Sequence, residues 1–167
     1  MGFHWSTGPV LKRVFLGLGS NLGNREANIR EAVRHLNANH VGVNRLSPIY
    51  ETEPEGVTDQ PWFLNAAVEA HTMLLPRQLL LTAKAIEALM KRQATVKNGP
   101  RIIDIDILFY QSAVIKMPDL EVPHPRLHER RFVLAPMADL APEWRDPVTR
   151  KTISELLVNA SGKFRRI

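Results

Sequence analysis

The chain has 167 residues, 44% of them hydrophobic and 23% charged, with no cysteine and a net charge of +5. That length suits a single domain with a real core, and the absence of cysteine excludes disulfides, zinc–thiolate centres and thiol nucleophiles. No apolar run approaches the ~18 residues of a membrane span and the start lacks an export layout, so a cytoplasmic protein is expected.

In chain order, residues 1–12 show no periodicity and are expected to be a frayed extension of one domain covering 1–167. Residues 13–20, RVFLGLGS, read as a strand ending in small residues. Residues 24–39 read as a helix, with Ile29, Val33 and Leu36 at helical spacing and Asn24 or Ser20 as a cap. Residues 42–52 look extended, with Pro48 marking an edge or an irregularity. TEPEGVTDQP, residues 52–61, is a loop by its Pro, Gly and Asp content. FLNAAVEAHT follows as a strand. Residues 77–92 then form an apolar helix with Leu79, Leu80, Ala83, Ile86 and Met90 as its buried stripe. The loop QATVKNGPR leads to a strand built on RIIDIDIL. The order β-α-β-β-α-β predicts an α+β, ferredoxin-like sandwich: an antiparallel sheet with two helices on one face and the other face open to ligands. Residues 111–167 add a short AVIKM strand, a loop rich in His and Arg, and helices around RFVLAPMADL and TISELLVNA.

The acidic strand carries the first chemical signal. Residues i and i+2 of a strand share a face with Cα atoms about 6.5–7 Å apart, so Asp104 and Asp106 project together while Ile103, Ile105 and Ile107 face the helices. Two readings are open: a solvated acidic strand, or a seat for Mg²⁺, which accepts few protein oxygens and completes its shell with phosphate and water. The surrounding cations favour the second. Arg92 and Arg101 bracket the loop before the strand, with Lys91 and Lys97 nearby, and guanidinium forks suit phosphate oxygens. Gly99 and Pro100 fix the backbone just ahead of Arg101. VPHPRLHERRF, residues 122–132, is either a solvated basic loop or a second phosphate-binding segment. GLGSNLGN is neither a Walker A loop nor a dinucleotide fingerprint and reads as a tight turn that supports its neighbours. Phe63 and Asn65 share a strand face, either as core and polar surface or as a floor for a flat heteroaromatic ring.

Taken together, GSNLG (19–23), TEP.G (52–56), DQPWFLNA (59–66), GPRIIDIDIL (99–108) and VPHPRLHERRFVLAP (122–136) resemble the 6-hydroxymethyl-7,8-dihydropterin pyrophosphokinase family, in order and with compatible spacing. The resemblance implies transfer of the β,γ-diphosphate of ATP to the pterin hydroxymethyl oxygen, with release of AMP. It implies two Mg²⁺ ions held by Asp104 and Asp106, and catalytic roles for Arg92 and Arg101. Ile107, His124 and Arg130 would meet ATP. The pterin would stack between Phe63 and Phe132, with Asn65, Thr52 and Pro54 reading its polar edge. Glu87 matches a recurrent family position without an evident role. Asn98 stands where some members carry Trp.

Such phosphate ligands account for a pI near 9.9 without a polyanion. The βαββαβ outline is also that of an RNA-recognition module, but no RNP1-like run of basic and aromatic residues is present. A ferredoxin-like regulatory domain without catalysis is a third possibility. The expected partners are therefore ATP and a dihydropterin, met by a monomer with no nucleic-acid or membrane partner.

Overall fold

The computed structural model describes residues 10–90 and 99–167. Its first half runs β1 (Lys12–Ser20), α1 (Arg25–Ala38), β2 (Val41–Leu46), β3 (Tyr50–Thr52), β4 (Phe63–Thr72) and α2 (Pro76–Leu89). It continues with β5 (Asp104–Tyr110), β6 (Ile115–Met117), β7 (Leu120–Val122), α3 (Arg131–Leu140), α4 (Ile153–Asn159) and β8 (Phe164–Arg166). The expected frayed extension falls largely on residues 1–9, outside the described residues.

Local chemistry sets the helix starts. The Asn24 side chain accepts the Ala27 N–H at 3.1 Å and opens α1. Pro76 begins α2, where a missing N–H does no harm, and Gln78 accepts the Leu75 N–H at 2.8 Å. Thr152 and Glu155 form a reciprocal capping box at the start of α4.

Among the described residues the main sheet is antiparallel and ordered β5-β1-β4-β3-β8, with β2 also paired to β4. The β2 and β3 strands lie along opposite halves of β4, so the extended 42–52 stretch is one strand broken around Pro48. Ser47 repairs the break, its N–H donating to the Ala67 carbonyl and its hydroxyl accepting from the Ala67 N–H, both at 2.9 Å. The last strand was not anticipated. Its three residues pair with β3, Phe164 packs on Tyr50 with ring centroids 5.4 Å apart, and Arg165 meets Glu51 at 2.7 Å.

The sheet is covered on both sides, which corrects the expectation of helices on one face and an open second face. On the first, α1 and α2 press Ile29, Leu36, Leu79 and Ile86 onto Leu16, Val68 and Ile105, forming one buried cluster. On the second, Phe15, Ala67, Leu108 and Phe109 would expose a wide apolar area, and α3 and α4 cover it with Leu134, Met137, Ile153 and Leu156. The end of this face bearing Gly17, Gly19, Phe63, Asn65 and the two aspartates lines an open cavity. A register shift helps divide this face. Leu16 pairs with Ile107 and Phe15 with Phe109, so Leu108 is an extra residue, and both Leu108 and Phe109 join the second cluster.

Leu134 is fully buried in α3, so the C-terminal third belongs to the same cooperative unit. Leu134→Ala is expected to destabilise the protein by about 2–5 kcal/mol in denaturant titration, in one transition with unchanged slope. A variant losing only a minor early phase would show α3 to be a peripheral addition.

Candidate active site

The open end of the second face is the floor of a cavity of about 430 Å³. Pairing registers fix its layout. Gly19 of β1 lies between Asn65 on β4 and Asp104 on β5, and Gly17 lies between Ala67 and Asp106. Carboxylates thus stand on one side of a glycine strip and an amide with an aromatic ring on the other. The strip must be glycine at its centre, because a Cβ on Gly19 would sit 2.7 Å from Asn65 Oδ1. Asn65 donates from Nδ2 to the Thr52 hydroxyl, which fixes the amide plane. Phe63 is 8% exposed and lines the cavity beside it.

Cationic groups reach in from both loops. The Arg101 guanidinium lies 5.2 Å from the Phe63 ring centroid, and its Nε is 3.8 Å from Asp104. Arg130 stands 5.7 Å over the Phe132 ring and 3.0 Å from Glu55. The Arg126 N–H donates to Nδ1 of His124 at 3.0 Å, and Arg130 Nη1 lies 3.4 Å from Nε2, so both ring nitrogens face donor groups. Burial and then the Arg130 charge lower the His124 pKa, which favours the neutral ring. The side chains of Arg101, Asp104, Asp106, His124, Arg130, Thr52, Phe63, Asn65 and Phe132 all line one cavity.

Three expected residues are not brought there in the same way. Ile107 points to the opposite face and is buried in the cluster under α1 and α2, as strand alternation demands, so its side chain does not line the cavity. Pro54 is buried beside the cavity without lining it, although Thr52, Glu53 and Glu55 around it do. Arg92 lies outside the described residues.

Other contributors escaped the sequence reading. Asn21, buried in the GSNLG turn, accepts the Arg101 N–H at 2.8 Å and donates to Gln60 Oε1 and the Pro61 carbonyl, both at 2.9 Å. One amide therefore ties the β1–α1 turn to both loops that edge the cavity. Glu87 acquires a role as well. It is 2% exposed on α2, and its Oε1 accepts the Ile105 N–H at 2.9 Å. Because β5 is an edge strand, that N–H has no neighbouring strand to receive it, and Glu87 fixes the backbone between the two aspartates. Lys84, one turn earlier, also lines the cavity and lies 3.7 Å from Glu87.

Solvent reaches the Asp106 carboxyl through the cavity, but protein encloses it on its other sides. Burial, then the neighbouring Asp104 charge, push its pKa up from 3.8 to about 7, against the pull of Arg130. An aspartate with a raised native pKa favours the folded state at low pH and weighs against it as pH climbs from about 4 to 7. Discounted for solvent reaching the carboxyl, this penalty is of order 1 kcal/mol. Metal-free Asp106→Asn is therefore expected to melt about 2–4 °C above the parent at pH 8. The difference should shrink toward pH 4 in calorimetric scans, and an equal or lower melting point at pH 8 would refute the charge conflict.

Comparison with known proteins identifies the family. The model of the 7,8-dihydro-6-hydroxymethylpterin-pyrophosphokinase (HPPK) family matches residues 15–142. The 2-amino-4-hydroxy-6-hydroxymethyldihydropteridine pyrophosphokinase of Methylorubrum extorquens is 46% identical over 134 residues, 80% of this chain and 85% of that protein. The mitochondrial folate synthesis bifunctional protein of Arabidopsis thaliana is 46% identical over 151 residues, 90% of this chain but only 27% of that protein. The chain thus spans about a quarter of the bifunctional relative and most of the bacterial one. The crystal structure of wild-type Plasmodium falciparum HPPK-DHPS with pteroate shares the fold with a TM-score of 0.73 at 21% identity, over 92% of this chain and 43% of that one. On these grounds the chain belongs to the 7,8-dihydro-6-hydroxymethylpterin-pyrophosphokinase family.

Proposed function

We propose that this protein transfers the diphosphate of ATP to the hydroxymethyl group of 6-hydroxymethyl-7,8-dihydropterin, releasing AMP, as a step of folate biosynthesis. The observation that carries the reading is the shared cavity. Paired aspartates, two inward-facing arginines and an aromatic–amide corner meet there within about 430 Å³, which brings a phosphate seat beside a seat for a flat heterocycle. The chain acts as one pyrophosphokinase domain over 1–167, a ferredoxin-like sandwich with α3 and α4 added to its second face. Its partners are the two small molecules, met by a cytoplasmic monomer without nucleic acid or membrane. No helix among the described residues is long and apolar enough to cross a membrane.

The donor chemistry fits magnesium. Among the described residues no cluster of three or more His, Asp or Glu forms a protein-only cage. Two carboxylates that repel each other, with Asp106 pushed up to about 7, suit a hard cation that keeps water and phosphate as its other ligands. Asp104 and Asp106 would hold the two ions; when bound, they neutralise phosphate charge and acidify the acceptor hydroxyl.

The remaining work is positioning and charge neutralisation. Phe63 and Phe132 supply stacking surface for the pterin, and Asn65, held by Thr52, fits its amide-like edge. Arg101, fixed at its backbone by Asn21, offers a guanidinium to charge that grows on the transferred group. Arg130 supplies donors to the nucleotide phosphates, with His124 beside it, and Arg92, from the family resemblance, would add a further cation.

A coupled assay of AMP release is expected to require both the dihydropterin and Mg²⁺; turnover without the pterin would sink the reading. Asp106→Ala should lose at least about a thousandfold in kcat while keeping its fold, since it removes a cation ligand and no core area. Arg101→Ala should lower kcat by about a hundredfold, with pterin Kd changed less than about threefold. Single-turnover kinetics and pterin titration separate the two, and a loss confined to Kd would remove Arg101 from the chemical step.

A further inference from the structure

Glu55, in the loop between β3 and β4, takes no part in the transfer outlined above. Its carboxylate nevertheless lines the cavity and meets two of its arginines. Oε2 lies 3.0 Å from Arg130 and Oε1 3.2 Å from Arg126, with the Arg130 side chain 16% and the Glu55 side chain 31% exposed. Two guanidinium groups meeting two oxygens of one anion is also what a phosphate group demands. Held in this way, Arg130 covers the ring of Phe132 at 5.7 Å. Glu55 is joined through Pro54 to Thr52, whose hydroxyl fixes Asn65. One carboxylate therefore connects the segment beside the heterocycle corner to the arginine on the phosphate side.

We infer that Glu55 is a coupling residue, an internal anion that occupies the phosphate seat at Arg126 and Arg130 until a nucleotide expels it. This rests on the reading of Arg130 as a nucleotide-binding group. A phosphate oxygen cannot share the Arg130 fork with a carboxylate of like charge, so the two occupants exclude each other. Arg126 keeps a partner after the exchange, because Glu129 already lies 3.0 Å from its Nε. Expulsion releases the Thr52–Glu55 segment from the arginines and frees Arg130 to leave the face of Phe132. Entry of a pterin against Phe132 needs the same release. Whichever ligand binds first bears the whole cost of opening the pair and the second bears none, so each raises the affinity of the other.

Isothermal titration of Mg²⁺ with a non-hydrolysable ATP analogue, with and without a non-reactive pterin analogue, tests this in the parent and in Glu55→Gln. The glutamine keeps the volume and removes the charge, and melting curves report whether the fold is intact. The expected result is nucleotide binding tightened about three- to tenfold. Pterin binding alone should tighten by a similar factor, and the mutual enhancement between the ligands should fall by that factor. A merely structural Glu55 would give weaker binding on substitution, never tighter. If the parent binds both ligands and Glu55→Gln binds them no more tightly, with the enhancement unchanged, the coupling role is overturned and the functional reading stands. If the parent binds neither ligand, the functional reading falls and takes the coupling role with it.

Discussion

Two carboxylates fixed on one face of an edge strand cannot move apart, and the surrounding structure answers that constraint. Side chains two apart on β5 are held to one side by the pleat, and the backbone is pinned from both directions. On one side, β1 pairs Gly17 and Gly19 with Asp106 and Asp104. On the other, the Glu87 carboxylate takes the Ile105 N–H, which brings a third anion close behind the pair and raises the Asp106 pKa further. Such an arrangement makes sense only where positive charge arrives from elsewhere. The arginines that bring it are themselves parked on aromatic rings, Arg101 over Phe63 and Arg130 over Phe132.

The loops that bear these groups are not independent. The side chain of Asn21 holds the backbone of Arg101 and also the end of the 52–61 loop through Gln60 and Pro61. Its amide is 2% exposed, where a lost hydrogen bond is expensive. The glycine-rich turn therefore serves the site as a fastener and not as a phosphate cradle. The arginine side chains of the cavity come from the loop that leads into β5 and from the segment ahead of α3 instead.

Much of this was legible in the sequence because the informative patterns are local. Period-two alternation placed Asp104 and Asp106 on one face and Phe63 with Asn65 on another strand, and both pairs meet in the cavity. The same alternation already placed the Ile107 side chain away from that face, in tension with the nucleotide role that the family resemblance gave it. What stayed hidden is non-local. Glu55, Asn21 and Glu87 act across 75, 80 and 18 residues of sequence, on Arg130, Arg101 and Ile105, and an isolated Glu or Asn carries no sign of its partner. The three-residue β8 strand is too short for periodicity to reveal and exists through its pairing with β3. The cover that α3 and α4 give the second face was hidden for a related reason. The apolar residues it buries, Phe15, Ala67 and Phe109, come from three separate strands.

The extra residue at Leu108 gives β5 a phase joint. Upstream of it the strand displays acid to the second face; downstream, after one residue out of step, it displays Phe109 to that same face and Tyr110 to the other. Chemistry and packing thus occupy a single strand with separate alternation frames. Drift in the hydrophobic half can be absorbed at the joint without rotating the acids, and deleting that one residue would restore an unbroken ladder, with Phe109 following Ile107 on its present face and only the Leu108 side chain lost from the core.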